Sequence, residues 1–163
     1  MICRGTGLLK PAKGSDSLGF VLDPILRTRL ERAAGELFRD RPVLAAYAYG
    51  SRVLGKPRPD SDLDIGYYLE RCWLGGELPI REEMELAGKL SQAAGLNVDL
   101  RNLGRAPLEL RGRVLEEGIR LYSGDPAGRV ALERDLLGRY HDYKDVFKQM
   151  HDMRLRAIAE RGI

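Results

Sequence analysis

The chain has 163 residues, with 27 Lys and Arg against 24 Asp and Glu, for a formal net charge of +3. That length holds one core plus an appendage. So small a charge excess, with no block of like charge, excludes a basic arm, and no direct nucleic-acid partner is expected. The longest apolar runs are strand-sized and exclude a membrane span. The first 17 residues lack the apolar segment of a signal peptide, so a cytoplasmic location is expected. Cys3 and Cys72 lie far apart without metal-ligand spacing and support no disulfide framework.

Residues 1–19 are rich in Gly, Lys and Ser and read as a flexible leader. Asp23-Pro24 is a helix start, because Asp caps free N–H groups and Pro suits the first helical position. Ile25, Leu26, Leu30, Ala33, Ala34, Leu37 and Phe38 then recur at helical spacing. Residues 43–49 read as a strand, with Ala46 and Ala48 on one face and Tyr47 and Tyr49 on the other. Gly50-Ser51 follows, then a short helical turn and the polar loop 55–59, marked by Gly and two Pro. Residues 63–69 read as a second strand and 73–79 as a loop. Residues 82–94 read as a helix stopped by Gly95, with Met84, Ala87, Leu90 and Ala94 inward and Glu82, Glu83 and Glu85 outward.

A third strand is expected over 97–103, where Val98, Leu100 and Asn102 alternate against Asp99, Arg101 and Leu103. Pro107 opens a helix that Gly118 stops, and 119–123 read as a short fourth strand. Asp125-Pro126 repeats the cap-and-proline start, and nearly everything to Glu160 is helix-compatible. Leu136, Tyr140, Tyr143, Phe147 and Met150 form an apolar stripe there. One unbroken helix would run roughly 50 Å at the usual rise. It must therefore bend near Gly138 or project toward a partner. His141 and His151 read as surface or packing residues rather than ligands.

The chemistry concentrates between residues 49 and 69. On a strand, Asp62 and Asp64 point the same way, while Leu63 and Ile65 point into a core. Two such carboxylates repel unless a cation lies between them, and hard oxygens completed by water and phosphate are how magnesium is usually held. Gly50 lets the backbone approach a phosphate. Ser51 offers a hydroxyl and a backbone N–H at the start of a helical turn, and Arg52 can neutralise phosphate charge. Lys56 and Arg58 lie on the loop over the site.

Gly50-Ser51, ten residues, then Asp62-x-Asp64 resembles the signature of the minimal nucleotidyltransferases of the DNA polymerase β superfamily. Beyond the signature, from about Leu26 onward, the chain resembles the small MntA-like adenylyltransferase (MNT) antitoxins encoded beside HEPN-domain toxins. The VDL strand carrying Asp99, the segment APLELRGRVLEEGIRLYSGD and the paired tyrosines of the last helix carry that likeness. The resemblance implies an α/β polymerase-β-like nucleotidyltransferase fold, a small mixed sheet flanked by helices. The nucleotidyltransferase domain would span 20–124, and 125–163 would be a C-terminal helical segment able to dock a partner. It further implies Asp62, Asp64 and Asp99 as catalytic metal ligands for two Mg²⁺ ions, with Asp99 helping to deprotonate the attacking hydroxyl. Gly50, Ser51 and Arg52 would bind the nucleotide, and ATP would donate AMP to a tyrosine of a HEPN toxin. Two alternatives stand beside this: a small-molecule nucleotidyltransferase of the antibiotic-modifying type, with Glu82, Glu83 and Glu85 as an acidic acceptor pocket, and an antitoxin that acts by binding alone.

Overall fold

The computed structural model describes residues 22–58, 60–70 and 76–161. The expected leader, both cysteines and the first part of the 73–79 loop lie outside the described residues. Helix α1 (Pro24–Phe38) starts where expected: the Asp23 carboxylate accepts a hydrogen bond from the Leu26 N–H at 3.1 Å, with Pro24 in the first turn. Strands β1 (Val43–Tyr49) and β2 (Leu63–Leu69) follow, then α2 (Ile80–Ala94). Strand β3 (Val98–Asn102) runs into a short 3-10 turn, Leu103–Arg105. After it come α3 (Leu108–Glu117), β4 (Ile119–Ser123) and α4 (Pro126–Arg161).

The sheet order is β3-β2-β1-β4. β1 runs antiparallel to both β2 and β4, and β2 runs parallel to β3. Parallel neighbours need a crossover, and α2 supplies it. The result is a mixed sheet with helices on both faces. Residues pointing one way, among them Ala46, Ala48, Leu63, Ile65 and Tyr67, form one apolar cluster with Leu30, Phe38, Leu86 and Leu90 of α1 and α2. Those pointing the other way, Ala45, Tyr47 and Tyr68, join Val114 of α3 and Leu136 of α4 in a second cluster.

Two expectations about the helices change. The inner face of α2 is Leu86, Leu90 and Ala94, while Met84 is 71% exposed. Its helical period is as expected, but the buried stripe is rotated so that leucine rather than methionine seals the sheet. Glu83 is consequently half-buried and accepts the Tyr67 hydroxyl hydrogen bond at 3.2 Å, and Glu82 pairs with Arg41 at 2.6 Å. Only Glu85 of the three acids keeps the outward position expected of it, paired with Lys89 one turn on.

Helix α4 is continuous over its 36 residues, with no break at Gly138. Of its apolar stripe, Leu136 and Tyr140 are buried, whereas Tyr143 and Met150 are more than half exposed. The first half is fixed by α3: the Tyr140 ring lies on the bare Cα of Gly112, where any Cβ would overlap it. A polar clamp adds to this. The Tyr47 hydroxyl donates to Glu133 at 2.6 Å, and Arg129 holds the same carboxylate through two bonds of 2.7 Å while also reaching Ser123 at 3.1 Å. The second half runs past the body. Among the described residues no helix is long and apolar enough to cross a membrane.

Candidate active site

β1 ends at Tyr49, and the chain turns at Gly50 with φ of 82°. The Val53 and Leu54 N–H groups both donate to the Gly50 carbonyl at 3.1 Å, and the Lys56 N–H donates to that of Ser51 at 2.9 Å. This winds 51–55 into a hydrogen-bonded turn of helical character. It leaves the Ser51 and Arg52 N–H groups outside the turn's own bonds, as at the start of a helix. The Arg52 Nε donates to the Ser61 carbonyl at 2.6 Å. Arg58 and Ser61 close the loop with two further bonds of 3.0 Å. Arg52 therefore braces the loop that returns the chain to β2, while Lys56 and Arg58 are exposed above it.

The returning chain brings Asp62 to the residue just before β2 and Asp64 onto it. Leu63 and Ile65, fully buried in the α1–α2 cluster, fix the alternation that turns Asp64 to the other face. Across the antiparallel pair Asp64 stands opposite Tyr49, and across the parallel pair it stands beside Asp99. Its carboxylate also lies against Gly50. A Cβ added there would overlap Asp64 Oδ2 and sit 3.2 Å from Cγ. Gly50 is thus required twice, for its positive φ and for the space that the carboxylate fills.

Electrostatics bind the acids into one group. Burial, and after it the Asp99 charge, pushes the Asp64 pKa up; Arg101 pulls the other way, and Asp62 adds a smaller push. The Tyr49 hydroxyl is pushed up chiefly by burial, with Arg101 opposing and Asp64 and Asp99 reinforcing. Asp99 Oδ2 accepts from Arg101 Nη2 at 3.2 Å, and both side chains are about half exposed. Arg101 shares a face with Asp99 by the two-residue period of β3.

The three acids supply hard oxygen donors of the kind magnesium takes. Among the described residues no three such groups converge closely enough to form a finished cage. Magnesium does not need one: it keeps water and is held by one or two carboxylates together with substrate phosphates. Asp62, Asp64 and Asp99 fit that use, and the Ser51 and Arg52 amides, which have no acceptor among the described residues, face no steric obstacle from a Gly50 side chain.

Beside Gly50 a cavity of about 140 Å³ opens between the turn and α3, lined by Tyr49, Leu54, Leu110, Val114, Arg113 and Glu117. Sequence reasoning missed this wall and assigned neither Tyr49 nor Arg101 to the site, although Arg101 is a natural ion-pair partner for Asp99 on an edge strand. The period-two alternation could have found both, since each sits on the face of an expected acid or glycine. Nothing local in α3 announces that its residues border the site.

Comparison with known proteins gives the same fold. Residues 34–127 match the family described as Polymerase beta, Nucleotidyltransferase. No curated protein matches the chain. Among solved structures, the chain is similar to one from a toxin–antitoxin complex with AMP-PNP, at 21% identity and a TM-score of 0.57, covering 79% of this chain and 98% of that one. A complex of tri-AMPylated Shewanella oneidensis HEPN toxin with MNT antitoxin matches at 23% identity and a TM-score of 0.57, over 79% and 98%. The toxin–antitoxin complex MntA–HepT matches at 22% and 0.56, over 78% and 98%. With a family match across more than half its length, and with the Gly50 turn, Asp62 and Asp64 on the matched segment, this chain belongs to the polymerase β nucleotidyltransferase family.

Proposed function

We propose that this protein is a magnesium-dependent adenylyltransferase that moves AMP from ATP to a tyrosine hydroxyl of a HEPN-domain toxin and so acts as its antitoxin. The observation that carries the chemistry is the seating of Asp64 against Gly50, which joins the phosphate-binding turn and the acidic strand into one site. The choice of partner is supported by the likeness to the chains of toxin–antitoxin complexes.

In this reading the Ser51 hydroxyl and the Ser51 and Arg52 N–H groups hold the terminal phosphates of ATP. Asp62, Asp64 and Asp99 are the residues that would hold two magnesium ions, which would supply charge neutralisation at the phosphates. Asp99, half exposed on the edge strand, is open to an incoming acceptor and draws the proton from its hydroxyl. The oxygen then bonds to the α-phosphorus, the bond to the β-phosphate oxygen breaks, and pyrophosphate leaves. Asp64, the most enclosed of the three, would hold its ion from the sheet side of the site.

The antibiotic-type alternative keeps one candidate acceptor pocket, a cavity of about 300 Å³ at the sheet edge lined by Glu83, Met84, Val98 and Asp99, but the acids expected to line it are already engaged within the chain. α2 packs beneath the opposite face of the sheet from Asp64, with Glu82 and Glu83 engaged by Arg41 and Tyr67.

The test uses α-phosphate-labelled ATP and Mg²⁺ with the product of the neighbouring gene, beside an Asp64→Ala control. Label on that protein, absent in the control, is the expected result. No label with either enzyme would overturn protein adenylylation and leave inhibition by contact alone.

A further inference from the structure

The projecting half of α4 carries a further apolar line, which shares the exposed Tyr143 and Met150 with the stripe described above and turns away from α3. Tyr143, Val146, Met150 and Met153, followed by Ala157, are spaced 3, 4, 3, 4, which is the period of a two-helix seam. These side chains are not covered by the body: Tyr143 is 53%, Val146 47%, Met150 58% and Met153 69% exposed. The neighbouring face is occupied differently. Phe147 stacks on Tyr140, and His141 and Lys144 hold Glu116 of α3 at 2.8 Å. The helix thus uses one face to grip its own body and leaves the adjacent one bare.

The charges beside the seam identify its occupant. Asp142, Gln149 and Arg156 flank one side; Phe147, Arg154 and Arg161 flank the other. Among the described residues neither Asp142 nor Arg156 has an ion pair within the chain; the pairs of this stretch run from Arg139, His141 and Lys144. Consider two copies of this helix laid antiparallel and crossing near residue 148. Tyr143 then layers on Met153 of the second copy, and Val146 on Met150. Asp142 falls opposite Arg156 of the second copy, and by symmetry this happens twice. Gln149 meets its own copy, and so does Phe147. A parallel arrangement would instead put Arg156 against Arg161 of the second copy, a like-charge clash.

We propose that the exposed seam of α4 is a self-association surface, along which two copies of this chain pair antiparallel through Tyr143, Val146, Met150 and Met153, with Asp142 bound to Arg156 of the other copy. The seam is only about four turns long, so the dimer is weak and concentration-dependent. The antiparallel arrangement carries the two catalytic bodies to opposite ends of the pair, leaving both Asp64 sites open. This proposal is independent of what the enzyme modifies.

Sedimentation velocity on the full chain tests it, from about 1 to about 200 µM. The expected result is a mass rising with concentration from 18.3 kDa toward twice that value. Met150→Lys should hold the chain at the monomer mass with its circular dichroism unchanged. Asp142→Arg alone and Arg156→Asp alone should each weaken association about tenfold, because each change removes two pairs and creates two repulsions. The double variant, with the charges exchanged, should return to within about threefold of the original affinity. A chain that stays monomeric at the highest concentration would overturn the proposal and leave the seam to a helix of another protein. A double variant no better than either single would equally overturn the antiparallel register.

Discussion

The two faces of the four-stranded sheet are built to different rules. One is closed from end to end: Leu63, Ile65, Tyr67 and Leu69 lie under α1 and α2, every one of them buried. The other is closed at only one end. Tyr47 and Tyr68 lie under α3 and α4, but Asp64, Asp99 and Arg101 stand beyond the helices on the same face. The strands are shared, so adjacent residues of β2 obey opposite demands. Leu63 and Ile65 supply hydrophobic burial that fixes the strand's rotation, and Asp64 between them bears the resulting strain of a half-buried charge. A rigid apolar side is what allows mutually repelling acids to be held in one place.

Substitutions on the two sides should separate stability from chemistry. The largest effect is expected from Asp64→Ala, which should lower adenylyl transfer at least about 10³-fold. Its thermal midpoint should not fall, because no buried packing is lost. Next, Leu63→Ala on the closed face should cost about 2–5 kcal/mol of stability by opening a cavity in a fully buried site. Urea melts read this directly, and transfer per folded molecule should fall far less than in Asp64→Ala, because Ile65 still fixes the strand's rotation. A Leu63→Ala protein with full stability would mean that the closed face is not what fixes β2.

Gly50→Ala joins both kinds of loss. The new Cβ must displace the Asp64 carboxylate, and a positive φ disfavours any side chain. Transfer should drop about 10²-fold with about 1–2 kcal/mol of stability lost. Tyr47→Phe sharpens the contrast within the second face by cutting the bond to Glu133 that ties α4 to β1. A loss of about 1 kcal/mol in urea melts is expected, with transfer unaltered.

The smallest effect concerns pH. Burial and the Asp99 charge raise the Asp64 pKa above 3.8. Ionised Asp64 therefore costs the fold stability at neutral pH, a cost that disappears as the pH falls below the ordinary carboxylate value. Asp64→Asn, though inactive, should melt about a degree or two higher than the wild type at pH 7. The two midpoints should converge near pH 3, about where the carboxylate is protonated in folded and unfolded chains alike. The same shift makes transfer by the wild type decline on acidification earlier than an ordinary aspartate would allow.

The pattern of success along the chain has a physical cause. β1, β2 and β4 fall on the residues expected, because each is a short alternating or apolar run between strong breakers: Pro42 before β1, Gly50 after it, Gly118 and Gly124 around β4. α1 and α3 likewise declare themselves by their caps and stops. The rotation of α2 was not legible. Both Met84 and Leu86 suit a helical stripe, and only the shape of the sheet beneath selects Leu86. Nor was the unbroken course of α4: Gly138 by itself allows a bend, and only the contacts with α3 beyond it, Tyr140 on Gly112 and His141 and Lys144 on Glu116, hold the helix straight.

For the site, the sequence by itself determined the parts: a glycine-serine turn, two acids one residue apart at the start of a strand, and a third acid on a later one. Those are local facts, carried by residue type and by the two-residue period of a strand. Tertiary structure decided their relation. The antiparallel register sets Asp64 opposite Tyr49 and against Gly50, and the parallel register sets Asp99 at its side. It also turned Arg101 onto Asp99, gave Arg52 a bracing bond to Ser61, and brought α3 up as a wall. Register across a sheet is chosen by which faces can be buried together, a property of all the strands and helices at once that no single stretch contains.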